Sequence, residues 1–114
     1  MFSRTAEWTS QLSAAEVRNR VVDVLRRQRA KIVTNGRGRI EARSGSAWLA
    51  RLDVSLMPRR WLPLDIRVTI EPFDGATHVT VTLDERLRVG TAGSGDRYRD
   101  LFLLTIERLR EATT

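Results

Sequence analysis

Side chains able to do chemistry are few and scattered in this chain. His78 is its single histidine, and cysteine is absent. A metal site or a proton-transfer site needs a second ligand or proton-moving partner. His78 instead shares the polar register of a strand with Thr80 and Thr82, which places it on the surface. Asp84 and Glu85 are adjacent carboxylates at a strand end. Neighbours on a strand point to opposite faces, so the two cannot share a proton or a cation. Gly90-Thr91-Ala92-Gly93-Ser94-Gly95-Asp96 is glycine-rich and precedes a helix start, as a phosphate cradle does. It lacks the lysine and following hydroxyl of a P-loop, and Asp96 would repel a phosphate while serving well as a helix cap. The expectation is no catalytic residue, no metal ligand and no cofactor.

Basic residues offer a different chemistry. The net charge of +6 is uneven, with thirteen Arg and Lys against five Asp and Glu in residues 1–60. From Arg18 to Arg43 nine cations face only Asp23 and Glu41. Such a stretch can attract nucleic acid or another polyanion. Arg26, Arg27 and Arg29 are its candidate contacts, although a helix C-terminus also favours cations there for its own stability. Nineteen of the twenty basic residues are Arg, a bias that the codon usage of a GC-rich, bacterial genome would also produce. A second candidate is Met57-Pro58-Arg59-Arg60-Trp61-Leu62-Pro63, where Arg59, Arg60 and Trp61 could rest on an acidic partner or a membrane surface. Against nucleic acid, the stretch lacks the interleaved exposed aromatics that stack on bases, and no helix-turn-helix or zinc pattern is present.

These residues are carried by well-marked elements. Phe2, Arg4, Ala6 and Trp8 alternate with polar neighbours as a first strand. Ser13-Ala14-Ala15-Glu16 has capping-box spacing, with Leu12 and Val17 at the staple positions. The helix that follows, Ser13 to about Arg29, turns Val17, Val21, Val24, Leu25 and Gln28 to one side. Residues 31–86 then alternate as sheet. Asn35-Gly36 predicts a type I′ hairpin turn between Ile32-Val33 and a return strand at 37–43. Ala47 to Leu56 alternates with Trp48, Ala50, Leu52, Val54 and Leu56 on one face. Leu64, Ile66, Val68 and Ile70 alternate next, Pro72-Phe73-Asp74-Gly75 turns the chain, and Val79, Val81 and Leu83 follow. A closing helix from Ser94 or Asp96 to Ala112 has a broad apolar face of Leu101, Phe102, Leu104, Thr105, Ile106 and Leu109.

The fold class expected is α+β: one curved antiparallel sheet of five to six strands, an N-terminal helix and a long C-terminal helix packed on one face, in the order β-α-β4/5-α. At 114 residues and 41% apolar content, the chain is a single domain (1–114) of globular composition. No apolar run is long enough to span a bilayer and no signal peptide is visible, so a cytoplasmic monomer or homodimer is expected.

Phe2-Ser3-Arg4-Thr5-Ala6-Glu7-Trp8, followed by Ser13-Ala14-Ala15-Glu16-Val17, resembles the start of helix-grip (START-like, SRPBCC) domains. There a first strand leads into an alanine-x-glutamate-valine helix, and a long helix closes the fold. A β-α-β4-α arrangement similar to one TATA-binding-protein repeat fits the length as well. The helix-grip resemblance implies a binding module for a small hydrophobic ligand, and the inward register of the predicted strands and closing helix supplies Trp48, Leu52, Ile66, Val68, Val81, Phe102 and Ile106 as cavity candidates. A non-enzymatic module that docks a protein partner on its curved sheet belongs to the same reading; nucleic-acid or other polyanion binding through residues 18–43, and a helix-grip enzyme acting on an apolar substrate, are the alternatives.

Overall fold

The computed structural model describes residues 3–28, 30–44, 64–85 and 94–114. Its elements are β1 (Ser3–Ser10), α1 (Ala14–Arg27), β2 (Lys31–Gly36), β3 (Arg39–Ser44), β4 (Leu64–Phe73), β5 (Ala76–Glu85) and α2 (Ser94–Thr113). The described strands make one antiparallel sheet in the order β1-β5-β4-β3-β2, so the first strand lies beside the fifth. α1 packs against β2 and β4, α2 against β1 and β5, and the helices touch each other. Among the described residues, no helix is long and apolar enough to cross a membrane.

Alternation decides which face the helices cover. Ile40, Ala42, Leu64, Ile66, Val68, Ile70, Val79, Val81 and Leu83 are all buried, and they meet Val17, Val21, Val24 and Leu25 of α1 and Leu101, Phe102, Ile106 and Leu109 of α2 in one core. Their neighbours in sequence face water, giving a half-wet antiparallel sheet. The expected Ala47–Leu56 strand lies outside the described residues. Both edges of β4 are taken, by β3 (Ser44↔Leu64) and β5 (Leu64↔Glu85).

The β2–β3 turn differs from the expected one. Asn35 and Gly36 lie within β2, opposite Ile40 and Arg39, and Arg37-Gly38 form the turn with Gly38 at φ 74°. A turn at Asn35-Gly36 would have set Ile32 opposite Arg39, on the wet face. Moving the turn by two residues, with a bulge that leaves Val33 as the extra residue, sets Ile32 opposite Ala42 on the buried face. Val33 is expelled and 53% exposed. The type I′ signature occurs instead at Asp74-Gly75, both at positive φ (49° and 78°), between Phe73 and Ala76.

α1 begins as its cap predicts, with the Glu16 amide donating to Ser13 Oγ at 3.2 Å. The reciprocal half of the box is replaced: the Glu16 carboxylate accepts from Arg20 Nε at 2.9 Å. Leu12, at the staple position, is half-buried against the core that contains Val17. α2 runs one residue beyond its expected end, to Thr113.

Gly38 carries a testable constraint. Its φ suits glycine, and a Cβ there would stand 3.0 Å from the Ile70 carbonyl. At Gly75, also at positive φ, a Cβ meets nothing within 4 Å. Gly38→Ala is expected to lower unfolding free energy by about 2 kcal/mol and Gly75→Ala by about 1 kcal/mol. Urea titration of the two variants measures the difference.

Candidate functional site

The inner face of the sheet and the helix across it form the candidate site. Ile66, Val68, Val81, Phe102 and Ile106 come together there, each 6% exposed or less. Trp48 and Leu52 lie outside the described residues, as do Arg29, Arg59, Arg60 and Trp61. Ser3, Ser44, Leu64 and Glu85, from which three undescribed segments leave, stand at one end of the sheet, where Ser44 pairs with Leu64, Leu64 with Glu85 and Ser3 with Asp84.

The opposite end is fastened by a polar clasp. A helix leaves its last carbonyls without intrahelical donors, and α2 satisfies its last two from other elements. Arg20 Nη1 of α1 donates to Ala112 O at 3.1 Å, and Ser10 Oγ of β1 donates to Thr113 O. Thr113 Oγ1 donates to Leu109 O at 2.8 Å and accepts from Trp8 Nε1 at 2.8 Å. The Arg110 guanidinium lies 5.5 Å from the centroid of the Trp8 ring, a favourable cation–π distance. Ser10 Oγ also accepts from the Leu12 amide at 3.1 Å, and Thr77 Oγ1 donates to Leu12 O at 2.7 Å. The turn into α1, the start of β5 and the end of α2 are thereby joined. No local pattern announced this set: Trp8 read as a strand residue, and its partner is 105 residues away.

Four side chains are buried and polar among the described residues: Ser10, Thr77, Thr105 and Thr113. Three are engaged as above. Thr105 Oγ1 has no hydrogen-bond partner.

Four of the nine cations of the basic stretch meet carboxylates within the described residues. Arg20 pairs with Glu16 and Arg27 with Asp23, each at 2.9 Å; Arg43 meets Asp65 at 3.5 Å, and Arg39 and Arg67 both meet Glu41. Arg26 is exposed. Arg27 also borders a shallow groove of about 570 Å³ between the helices, with Val24, Gln28, Arg108, Glu111 and Ala112. On the outer sheet face His78 Nε2 lies 3.5 Å from Glu7 Oε2, outward as expected. The hydrogen bond from Arg39, with the charges of Arg39 and Arg67, holds the Glu41 carboxyl below its ordinary value of 4.5. A lowered folded pKa means that this cluster's contribution is complete above the ordinary carboxylate range. It is lost as pH falls through the lowered value.

No protein-family model matches the chain, and no curated protein matches it in sequence. Solved structures do match it in shape. It superposes on Ara h 8.0201 with a TM-score of 0.62 at 12% identity, covering 98% of this chain and 94% of that one. Against the Aha1 dimer of Colwellia psychrerythraea the TM-score is 0.61 at 11% identity, covering 99% and 96%. TTHA0849 of Thermus thermophilus gives 0.53 at 14%, covering 98% and 94%. Ara h 8.0201 and Aha1 are helix-grip structures, and the chain has the helix-grip fold. Element order alone fits the TATA-binding-protein-like arrangement equally; the full-length superposition decides.

Two measurements test the site's polar geometry. Thr113→Val keeps the side chain's size but removes the acceptor for Trp8 Nε1, and should cost about 2 kcal/mol in denaturant unfolding. Thr114→Val loses only an exposed bond to Arg110 O of its own helix and should stay within about 0.5 kcal/mol. By NMR titration the Glu41 carboxyl should titrate below 4.5, and Arg39→Ala should raise that midpoint more than Arg67→Ala does.

Proposed function

We propose that this helix-grip chain is a non-enzymatic binding module that holds a small hydrophobic ligand between the inner face of its sheet and α2. One observation carries the reading: all five described strands turn apolar carbon to the face on which α2 lies. Ile66, Val68, Val81, Phe102 and Ile106 are the described part of the proposed lining; Trp48 and Leu52, expected in it from their apolar register, lie outside the described residues. A largely apolar surround with few polar groups is the usual make-up of a small-molecule site.

Docking of a protein partner on the sheet is less favoured. The helices already occupy the inner face, and the outer face carries Thr5, Glu7, His78, Thr80, Thr69, Arg67 and Glu41 in register. The exposed large hydrophobics Val33, Phe73 and Leu103 stand on separate elements and supply no continuous patch. Polyanion binding through Arg26, Arg27 and Arg29, or through Arg59, Arg60 and Trp61, is the other alternative; of these candidates Arg27 already has the Asp23 carboxylate as a partner.

Native mass spectrometry of the protein purified from its own host tests the reading. The intact protein is expected to carry an excess mass of a few hundred daltons that disappears on denaturation. A bare mass in repeated preparations overturns it.

A further inference from the structure

Arg18 Nε, on a half-buried residue of α1, is unpartnered, but among the four buried polar side chains described Thr105 is the exception. It is fully buried on the inner side of α2, next to Phe102, Ile106 and Leu109, and its hydroxyl meets no partner. A helical threonine usually settles its hydroxyl on the carbonyl four residues back. Thr113 does so with Leu109 O at 2.8 Å, yet Thr105 leaves the equivalent bond to Leu101 unmade. A buried hydroxyl without a partner costs about 1–3 kcal/mol, and valine would fill the same volume without that cost. The clasp does not explain it either. Its α2 members begin at Leu109, four residues further along and about 6 Å at 1.5 Å per residue, and none of its bonds reaches the Thr105 hydroxyl.

We infer that Thr105 Oγ1 is the polar anchor of the ligand site and that the ligand is a neutral, largely apolar molecule carrying a hydroxyl or carbonyl group. This rests on the ligand-binding reading given above and names the chemistry of that site. A threonine hydroxyl offers one donor and two acceptor positions, so it serves an alcohol, a phenol or a ketone. The other buried polar side chains described, Ser10, Thr77 and Thr113, are neutral and already engaged. None of them would offset the desolvation of a charged ligand group. The ligand's single polar group bonds to Thr105 while its apolar body lies along Phe102, Ile106 and Val81.

Naphthalene and 2-naphthol test this, because they share a body and differ by one hydroxyl. Their affinities are measured by fluorescence titration on the native protein, Thr105→Ser and Thr105→Val, with the ligand-free melting temperature of each. The native protein and Thr105→Ser should prefer 2-naphthol by about tenfold, the worth of one hydrogen bond that satisfies a buried group. In Thr105→Val the ratio should fall to about one, and its melting temperature should equal or exceed that of the native protein. A preference that persists in Thr105→Val overturns the anchor, and so does a melting temperature lowered as by a lost hydrogen bond. Equal binding of both probes to the native protein rejects the anchor alone. Binding of neither rejects the small-ligand reading together with it.

Discussion

An antiparallel sheet with one apolar face is stable only if that whole face is covered, and a slip of one residue would turn every inward side chain to water. That constraint organises the molecule. It sets Ile40 and Ala42 opposite Val68 and Ile66, and those opposite Val81 and Leu83, so one apolar layer crosses the central strands without interruption. It also outranks local turn preference. Asn35-Gly36 is the stronger hairpin signal, yet it would have faced Ile32 outward; the chain turns at Arg37-Gly38 and expels Val33 as a bulge instead. The conformational latitude of glycine is drawn on where the covered face demands it, and Gly38 closes against the Ile70 carbonyl.

Covering the face with a helix raises a second problem, because a helix end brings unsatisfied carbonyls toward the core. Arg20, Ser10 and Thr113 resolve it at the C-terminal end of α2. Arg20 bonds both Glu16 of its own helix and the Ala112 carbonyl, so α1 fixes the position of α2 as well as filling space beside it. Cationic Arg20 and Arg110 also suit the negative end of the α2 dipole. Arg20, which the charge pattern counts in a basic stretch, thus has work in holding the fold together.

The elements were legible because each is written locally. Capping at Ser13, the period of Val17, Val21, Val24 and Leu25, and the alternation of Leu64 to Ile70 need only near neighbours. Periodicity also assigned Thr105 to the buried side of the last helix, but counted it among apolar residues; an unmet hydroxyl is a fact of three-dimensional surroundings. The same holds for Trp8 and Thr113, whose bond spans 105 positions, and for the second half of the capping box, which Glu16 gave up to Arg20. Of the candidate lining, Ile66, Val68, Val81, Phe102 and Ile106 were found by alternation and helical spacing because burial alone selects them. Which of them touches a ligand is a matter of shape that no period encodes.

The neighbourhood of β1 has a consequence for how the chain acquires its structure. β1 precedes the other described elements, yet its sheet partner is β5 and the polar partner of its Trp8 is Thr113, 105 residues on. The local hairpins β2–β3 and β4–β5 can form as soon as they are synthesised, whereas β1 must wait for strands and a helix still to come. Closing so long a loop is entropically slow. A nascent chain therefore holds the β2–β5 sheet with the β5 edge bare, and the part of its apolar face that α2 covers stays open until α2 has been made. Aggregation during biosynthesis is the hazard built into this topology, and it ends only when the last turn of α2 closes over Trp8.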